Sequence, residues 1–138
     1  MSDQLLTFSF QNANLRGALA QTELSFQDLS QQHGDQAEYP LFIRQLLGEM
    51  NVLVLLMASN LKLQGTMSLQ IRGNGHLYSV LTDASLSEEP KITVRGIARR
   101  TEQAQPSSLD LRDWVGDATL AITLQPAQGQ PYLSLIHI

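Results

Sequence analysis

The most apolar stretch of the chain, residues 52–58 (VLVLLMA), contains no polar side chain. Pro40 suits the first turn of a helix, and polar residues between positions 44 and 49 recur at helical spacing opposite apolar ones. A helix that is apolar on every side is stable only where every side is covered. The sequence therefore predicts one long, enclosed central helix, which begins at Pro40 and ends between residues 61 and 65.

Three other interpretations of this stretch compete with the enclosed helix. A transmembrane helix needs about 20 apolar residues, and this segment is interrupted by Arg44, Glu49, Asn51 and Lys62. A buried parallel strand would also be apolar throughout, although Leu and Met outnumber the β-branched residues here. A groove for a partner or cofactor is the third interpretation, but most such apolar residues belong to a core.

Alternating apolar residues predict short strands on both sides of the helix. Two strands, residues 5–10 and 15–22, precede it and are joined by an Asn-rich turn. The strands after it are residues 66–72, 77–81, 91–99 and 119–124. Gly73, Asn74 and Gly75 tolerate positive φ, so we expect a hairpin between the two strands that flank them.

Two shorter helices complete the expected fold. Residues 24–34 form the first, and residues 109–116 form the second, with a capping box of Ser107 and Asp110 at its start and Trp114 as a packing anchor. Residues 83–90 are expected to form a polar loop, and residues 101–108 a mobile one. The predicted class is α+β, with mainly antiparallel sheets packed around a long central buried helix.

Composition narrows the range of functions. With 138 residues, 43% of them hydrophobic, the chain has the size of one globular domain. A net charge of −4 disfavours nucleic acid and anionic membranes as partners, because both are bound through clustered Lys and Arg. The chain has no cysteine, so its residues form no disulfide or thiolate zinc site. The N-terminus lacks the features of a signal peptide, and we expect a cytoplasmic protein.

The residues that could carry chemistry are dispersed. His33, His76 and His137 lie far apart in the sequence, which disfavours a metal site. Glu88 and Glu89 are adjacent and would point to opposite sides of a strand. No nucleophile motif is present. The residues alone therefore indicate a domain without catalytic apparatus.

An alternative function is a small anion- or nucleotide-binding enzyme domain. It would use the Gly73-Asn74-Gly75 turn as a phosphate loop, together with Arg95 and Arg99, which share one face of a predicted strand. A phosphate loop should open a helix, whereas a strand follows here. If the turn caps a hairpin and the arginines do not converge on it, this alternative is disfavoured.

Several short motifs recur in an order typical of one protein family. They are Leu15-Arg16-Gly17, Leu47-Gly48-Glu49, Leu61-Lys62, Gly65, Gln70, Gly73, Gly75, the run from Arg95 through Gly96 to Arg99, and Gly129 with Tyr132. By these motifs the chain resembles the heat-shock protein 33 family, the redox-regulated holdase chaperones also called 33-kDa chaperonins. The resemblance covers residues 3–132. It implies structural roles for Arg16, Gly17, Glu49, Lys62, Gly65, Gln70, Gly73, Gly75, Arg95, Gly96 and Arg99.

The resemblance implies an ATP-independent chaperone core and not an enzyme. Such a holdase binds unfolded or partly folded client proteins and prevents their aggregation, as part of the stress response, and family members tend to form homodimers when active. Exposed apolar surface is the physical requirement for this activity. No catalytic, cofactor-binding or metal-binding residue is expected in the chain.

Two departures from the family pattern qualify the resemblance. Family members bind zinc through cysteines in a C-terminal domain, and this chain contains no cysteine. We therefore expect residues 1–132 to be the N-terminal part of the chaperone core, in a truncated fragment without the zinc-dependent redox switch. Residues 133–138 (LSLIHI) are similar to translated sequencing-adapter sequence, and we expect them to be a non-native tail.

Overall fold

The computed structural model describes residues 3–23, 26–27, 39–61, 64–87, 92–103 and 105–138. The elements, in chain order, are β1 (Gln4–Ser9), β2 (Arg16–Gln21), α1 (Leu41–Ser59), β3 (Gly65–Gly73), β4 (Leu77–Leu86), β5 (Ile92–Arg100), α2 (Leu111–Val115), β6 (Ala118–Pro126) and β7 (Tyr132–His137). The α+β prediction is confirmed. Of the helix predicted at residues 24–34, only Phe26 and Gln27 are described, both helical, and the rest lies outside the described residues.

The strands form two antiparallel sheets. β1 and β2 pair with each other, and the other five strands form a sheet in the order β5-β4-β3-β6-β7. Residues directly opposite one another point to the same side of a sheet. One side of the larger sheet, which we call the inner face, carries Met67, Leu69, Ile71, Val80, Thr82, Ala84, Val94, Ala98, Leu120, Ile122 and Leu124. The opposite side is the outer face.

Helix α1 packs on the inner face over β3, β4 and β5. Its buried residues recur every three or four positions, as they must to form one stripe along a helix. They are Ile43, Leu47, Met50, Asn51, Val54, Leu55 and Ala58. Burying a side chain such as Leu47 contributes roughly 1.5–3 kcal/mol. The contact between α1 and the sheet is therefore the centre of the fold, as the sequence predicts.

The prediction that residues 52–58 are enclosed on every side is wrong. Val54, Leu55 and Ala58 are buried, but Leu53 is 47% exposed, and Val52 and Leu56 line an open groove. The larger sheet covers one side of α1, and the β1–β2 hairpin contacts it as well. Within the described residues, a further side of the helix stays uncovered. The interpretation of this stretch as a strand is also wrong, since it is helical.

The length and apolar composition of α1 match those of a membrane-spanning helix, and no other helix in the described part of the chain does so. This match is weak evidence for a membrane span, because a core helix packed against a sheet passes the same test. In this structure the stripe of residues that α1 turns to the inner face is buried.

Tyr39, just before α1, covers part of an exposed sheet edge. β5 is the edge strand of the larger sheet, so alternate backbone groups on its free side lack a strand partner. The Tyr39 hydroxyl accepts the Ala98 N–H at 3.0 Å and donates to the Ala98 carbonyl at 2.9 Å. Tyr39 is buried, so its hydroxyl satisfies both backbone groups away from water.

Two element boundaries and one helix cap differ from the sequence predictions. α1 ends at Ser59, before residues 61–65. β4 continues to Leu86, although we expected a loop from Asp83 onward. The strand continues because Ala84 and Leu86 both pair with β3 on one side and with β5 on the other. The capping box is wrong as well. Asp110 is itself the N-cap of α2, and its carboxylate accepts the N–H of Arg112.

Other predictions concern the last third of the chain. Trp114 is a packing anchor, as expected, with 2% of its surface exposed and its ring stacked on Phe42 at 4.6 Å. The mobility of residues 101–108 stays a prediction. Tyr132–His137 form the edge strand β7 beside β6. The expectation that residues 133–138 are a non-native tail is not tested by this pairing and also stays a prediction.

Candidate functional site

The β1–β2 hairpin has one strongly apolar face. Leu6 lies opposite Leu19, and Phe8 lies opposite Gly17. The pairing continues to Phe10, whose N–H donates to the carbonyl of Leu15 at 3.1 Å. Because opposite residues share a side of the sheet, these side chains form one strip. We call this strip the apolar hairpin face, and it consists of Leu6, Phe8, Phe10, Leu15 and Leu19.

The apolar hairpin face is open to solvent. Its side chains are exposed by 55% at Leu6, 51% at Phe8, 58% at Phe10, and 61% at both Leu15 and Leu19. Single exposed apolar residues are ordinary, but a contiguous set of this kind is typical of an interaction surface. The opposite side of the hairpin carries Leu5, Thr7, Ser9, Arg16, Ala18 and Ala20, and Ala20 there packs against the core. The hairpin thus leaves open to solvent the side that carries most of its large apolar residues.

A groove runs along the uncovered side of α1. It has a volume of about 610 Å³ and is lined by Thr22, Phe26, Leu41, Gln45, Gly48, Glu49, Val52, Leu53 and Leu56. The Phe26 ring lies against Gly48, where a Cβ would approach it to 2.8 Å. Among the described lining residues, only Gln45 and Glu49 carry an amide or a charged group, and the Gln45 amide donates to the Glu49 carboxylate at 3.1 Å. The groove is therefore a second exposed apolar surface.

The Gly73-Asn74-Gly75 turn closes the β3–β4 hairpin, as predicted, and does not open a helix. Its Gly75 N–H donates to the carbonyl of Val115 at 2.8 Å, and the Asn74 amide oxygen accepts the N–H of Asp117 at 2.9 Å. A Cβ at Gly75 would overlap the carbonyl oxygen of Trp114. The turn thus lies directly on the C-terminal end of α2, where carbonyl oxygens would repel a phosphate.

The two arginines of the alternative function do not converge on this turn. Arg95 and Arg99 share the outer face of β5, as predicted, but four residues of extended strand hold their Cα atoms about 13 Å apart. A guanidinium nitrogen of Arg95 lies 3.6 Å from the carboxylate of Asp83 on the neighbouring strand. This geometry disfavours a nucleotide site built from the turn and these arginines.

His76 is the titratable group whose environment is most unusual. It is buried, its Nδ1 lies 2.9 Å from the Thr101 hydroxyl, and its ring meets Trp114 edge to face at 5.6 Å. Burial first, and the positive charge of Arg100 second, lower the pKa of His76 below its usual 6.5. This histidine belongs to the packing around α2.

The side chains of this chain that could coordinate a metal do not fit the zinc site that the family resemblance implies. The chain has no cysteine. The described residues contain no group of three or more His, Asp or Glu side chains that could hold a metal ion. Of the three histidines, His33 lies outside the described residues, as do Glu88 and Glu89.

The family-motif residues are spread over the fold. Arg16 lines a small cleft with Ser59, and Gly17 lies under the Phe8 ring. Gly65 has φ +152°, where a side chain would be strained, and a Cβ there would overlap the backbone of Gln125. The remaining motif residues line the groove (Glu49), lie on β3 or β5 opposite β4 (Gln70, Arg95, Gly96, Arg99), belong to the turn (Gly73, which also lies opposite Ala118 of β6, and Gly75) or lie outside the described residues (Lys62).

Sequence reasoning missed the exposure of the apolar hairpin face. It identified the alternation of Leu6, Phe8 and Phe10 but treated the strand as ordinary. A signal was available in the pairing, since a hairpin through the Asn-rich turn aligns Leu15 and Leu19 with those residues and so gathers five large apolar side chains on one side. Tyr39 was missed too, because its partner Ala98 is 59 residues away.

Known proteins are similar to this chain in sequence and in architecture. The sequence profile described as Hsp33 protein matches residues 3–138. A 33 kDa chaperonin of Histophilus somni is 33% identical over 137 residues, and one of Vibrio cholerae is 32% identical over 138 residues. Each alignment covers 99% of this chain, but 45% and 44% of the two relatives. The chain therefore spans a little under half the length of the curated relatives it matches.

A solved structure shows the same fold. The crystal structure of a 33 kDa chaperonin (Heat shock protein 33 homolog) from Thermotoga maritima has a TM-score of 0.78 to this chain, at 16% sequence identity. The superposition covers 97% of this chain and 45% of that one. The motifs, the profile match over nearly all residues and the fold agree, and the chain belongs to the Hsp33 protein family.

Proposed function

We propose that this chain is the client-binding part of an ATP-independent holdase chaperone. In this proposal the apolar hairpin face binds exposed apolar segments of unfolded or partly folded proteins and so keeps them from aggregating. The observation that carries it is the contiguous exposure of Leu6, Phe8, Phe10, Leu15 and Leu19, each by more than half. The names of the relatives, 33 kDa chaperonins, support the same class of function.

An apolar surface that is exposed to water is stabilised when another apolar surface covers it. Removing apolar area from water contributes roughly 25 cal/mol per Å², whichever sequence supplies the opposing surface. A flat strip of Leu and Phe side chains therefore suits clients that share no motif. A deep, rigid pocket would restrict the set of clients to those that fit its shape. The groove along α1 is a second apolar surface of the same kind.

Control by thiol chemistry does not reside in these residues, because the 138 residues contain no cysteine. We propose that this part of the protein binds clients without a redox step of its own, and that it acts in the cytoplasm, as a monomer or a homodimer. We propose no bound cofactor and no catalytic residue for it.

The experiment measures light scattering from a heat-aggregating client enzyme with and without the chain, in the absence of ATP. We expect suppression at a few-fold molar excess of the chain. The variant Phe8→Ser with Leu19→Ser should lose most of that suppression. Ile97→Ser is the matched control, since Ile97 is also exposed, by 44%, but lies on β5.

The outcomes separate the two parts of the proposal. If the unaltered chain suppresses no aggregation at several-fold excess, the holdase function fails for this chain. If suppression is equal for the hairpin variant and the Ile97→Ser control, with all three proteins folded by circular dichroism, the binding surface lies elsewhere than the apolar hairpin face.

A further inference from the structure

The outer face of the larger sheet brings two distant arginines into one row. Ser79 on β4 lies opposite Arg72 on β3 and opposite Arg99 on β5, at the point where the register of β4 and β5 shifts between Leu77 and Ser79. The three side chains therefore point to the same side, with the serine between the arginines. Thr119 on β6 continues the row beyond Arg72. We call Arg72, Ser79 and Arg99 the outer arginine row.

The spacing of this row suits a single small anion. Neighbouring strands lie about 4.8 Å apart, so the two arginine Cα atoms are about 10 Å apart. An extended arginine side chain is long enough for both guanidinium groups to reach over Ser79. Its hydroxyl would then be a third donor to the same ligand. Two forked guanidinium groups and a hydroxyl match the oxygens of a tetrahedral oxyanion.

The charges of the row are uncompensated. Arg72 and Arg99 are both exposed, and within the described residues neither makes an ion pair. On the same face, Arg95 contrasts with them because Asp83 lies opposite it, 3.6 Å from its guanidinium group. The chain as a whole is acidic, with 13 acidic and nine basic residues. Two unpaired arginines that face each other across one strand repel each other, and an anion between them would relieve that repulsion.

We propose that the outer arginine row is a binding site for a phosphate-type dianion. Its ligand is a phosphate group, either as free phosphate or as a phosphomonoester on a protein side chain. This site is separate from the Gly73-Asn74-Gly75 turn, and it does not depend on the proposed holdase function. It is also on the face of the sheet opposite α1.

The test is an NMR titration of the isotopically labelled chain at constant ionic strength. Inorganic phosphate and phosphoserine are the two probes, and chloride is the reference anion. We expect saturable shifts of the Arg72 and Arg99 side-chain Nε–H signals and of the Ser79 amide, with a dissociation constant of millimolar order, as for a few charge-assisted hydrogen bonds in water. Tighter binding of phosphoserine would identify a phosphomonoester as the source, and tighter binding of inorganic phosphate would identify free phosphate.

Variants separate this site from general surface charge. Arg72→Gln should weaken phosphate binding at least about tenfold, because a hydrogen bond between charged groups is lost. Arg99→Gln, on the edge strand, tests the same point should the central-strand variant fail to fold. Arg72→Lys keeps the charge but loses the fork, and we expect an intermediate loss. Arg112→Gln, which removes another exposed arginine on α2, should leave binding unchanged.

Two results would overturn the proposal. One is a set of shifts that does not saturate, or that is equally large at Arg95 and at the arginine row. The other is unchanged phosphate affinity in a folded Arg72→Gln or Arg99→Gln protein. Either result would mean that the row attracts anions only as ordinary surface charge does.

Discussion

The contact between Tyr39 and Ala98 offers a sharp test of how the sheet edge is stabilised. The Tyr39 hydroxyl accepts one backbone hydrogen bond at 3.0 Å and donates another at 2.9 Å, and both groups belong to the same residue of β5. Tyr39→Phe removes both bonds and leaves the ring in place. A buried polar group that loses its partner costs about 1–3 kcal/mol. Two such groups, the N–H and the carbonyl of Ala98, would together cost about 2–6 kcal/mol. Because β5 is an edge strand, water can rehydrate part of the loss, and we expect destabilisation of about 2–3 kcal/mol.

Urea unfolding followed by tryptophan fluorescence measures this loss. Trp114 is the sole tryptophan and is 2% exposed, so its emission reports the folded core. In a thermal melt the same change should lower Tm by roughly 6–12 °C for a chain of this length. Tyr78→Phe is the matched control. Tyr78 is 43% exposed, and its hydroxyl makes no hydrogen bond with the described residues. We expect a change of less than about 0.5 kcal/mol there.

Equal stability of the two tyrosine variants would refute the role assigned to the Tyr39 hydroxyl. If Tyr39→Phe and Tyr78→Phe have free energies of unfolding within about 0.5 kcal/mol of each other, the Tyr39 hydroxyl gives no net stabilisation beyond what water supplies. The edge of β5 would then be satisfied by solvent, and the role of Tyr39 would be limited to the packing of its ring.

Three further predictions use the same unfolding assay. Asn51 is fully buried on α1, and among the described residues neither its amide nitrogen nor its oxygen has a hydrogen-bond partner. Asn51→Leu should therefore raise the free energy of unfolding by about 1–3 kcal/mol, whereas Gln45→Leu on the exposed side should not. Gly75→Ala sets a Cβ against the carbonyl of residue 114 and should cost about 1–3 kcal/mol; an unchanged midpoint would contradict the close packing. The lowered pKa of His76 means that the unfolded chain binds its proton more readily, so stability should be full above about pH 6.5 and fall as the pH decreases below it. His76→Gln should flatten that dependence, and a slope equal to that of the unaltered chain would argue against this assignment.

The central helix shows what a local sequence pattern can and cannot predict. The 3.6-residue period of α1 and the apolar residues around it predict its type and approximate extent, and both agree with the structure. Its environment was predicted incorrectly, since Leu53 and its neighbours border an open groove. The sequence shows that the helix carries apolar residues on every side. The number of elements that cover these sides depends on how the remaining chain packs.

The end of β4 shows a similar limit at a boundary. Asp83 and Ser85 are polar and favour a loop, yet the strand continues to Leu86 because β3 and β5 pair with it on both sides. Pairing with two neighbours outweighs the weak preference of individual residues. The Asp83 carboxylate then lies beside Arg95, a contact that neither segment predicts by itself.

By itself the sequence determined the helix, the β3–β4 hairpin with its glycine turn, the α+β class and the family motifs, because each of these depends on residues close together in the chain. Only the tertiary structure decided which apolar surfaces are left open, as on the outer side of the β1–β2 hairpin. It also decided which distant residues meet, as Tyr39 meets Ala98 and Arg72 is aligned with Arg99 across Ser79. The physical reason is that strand register and the covering of surfaces are set by long-range packing, which local preference does not encode.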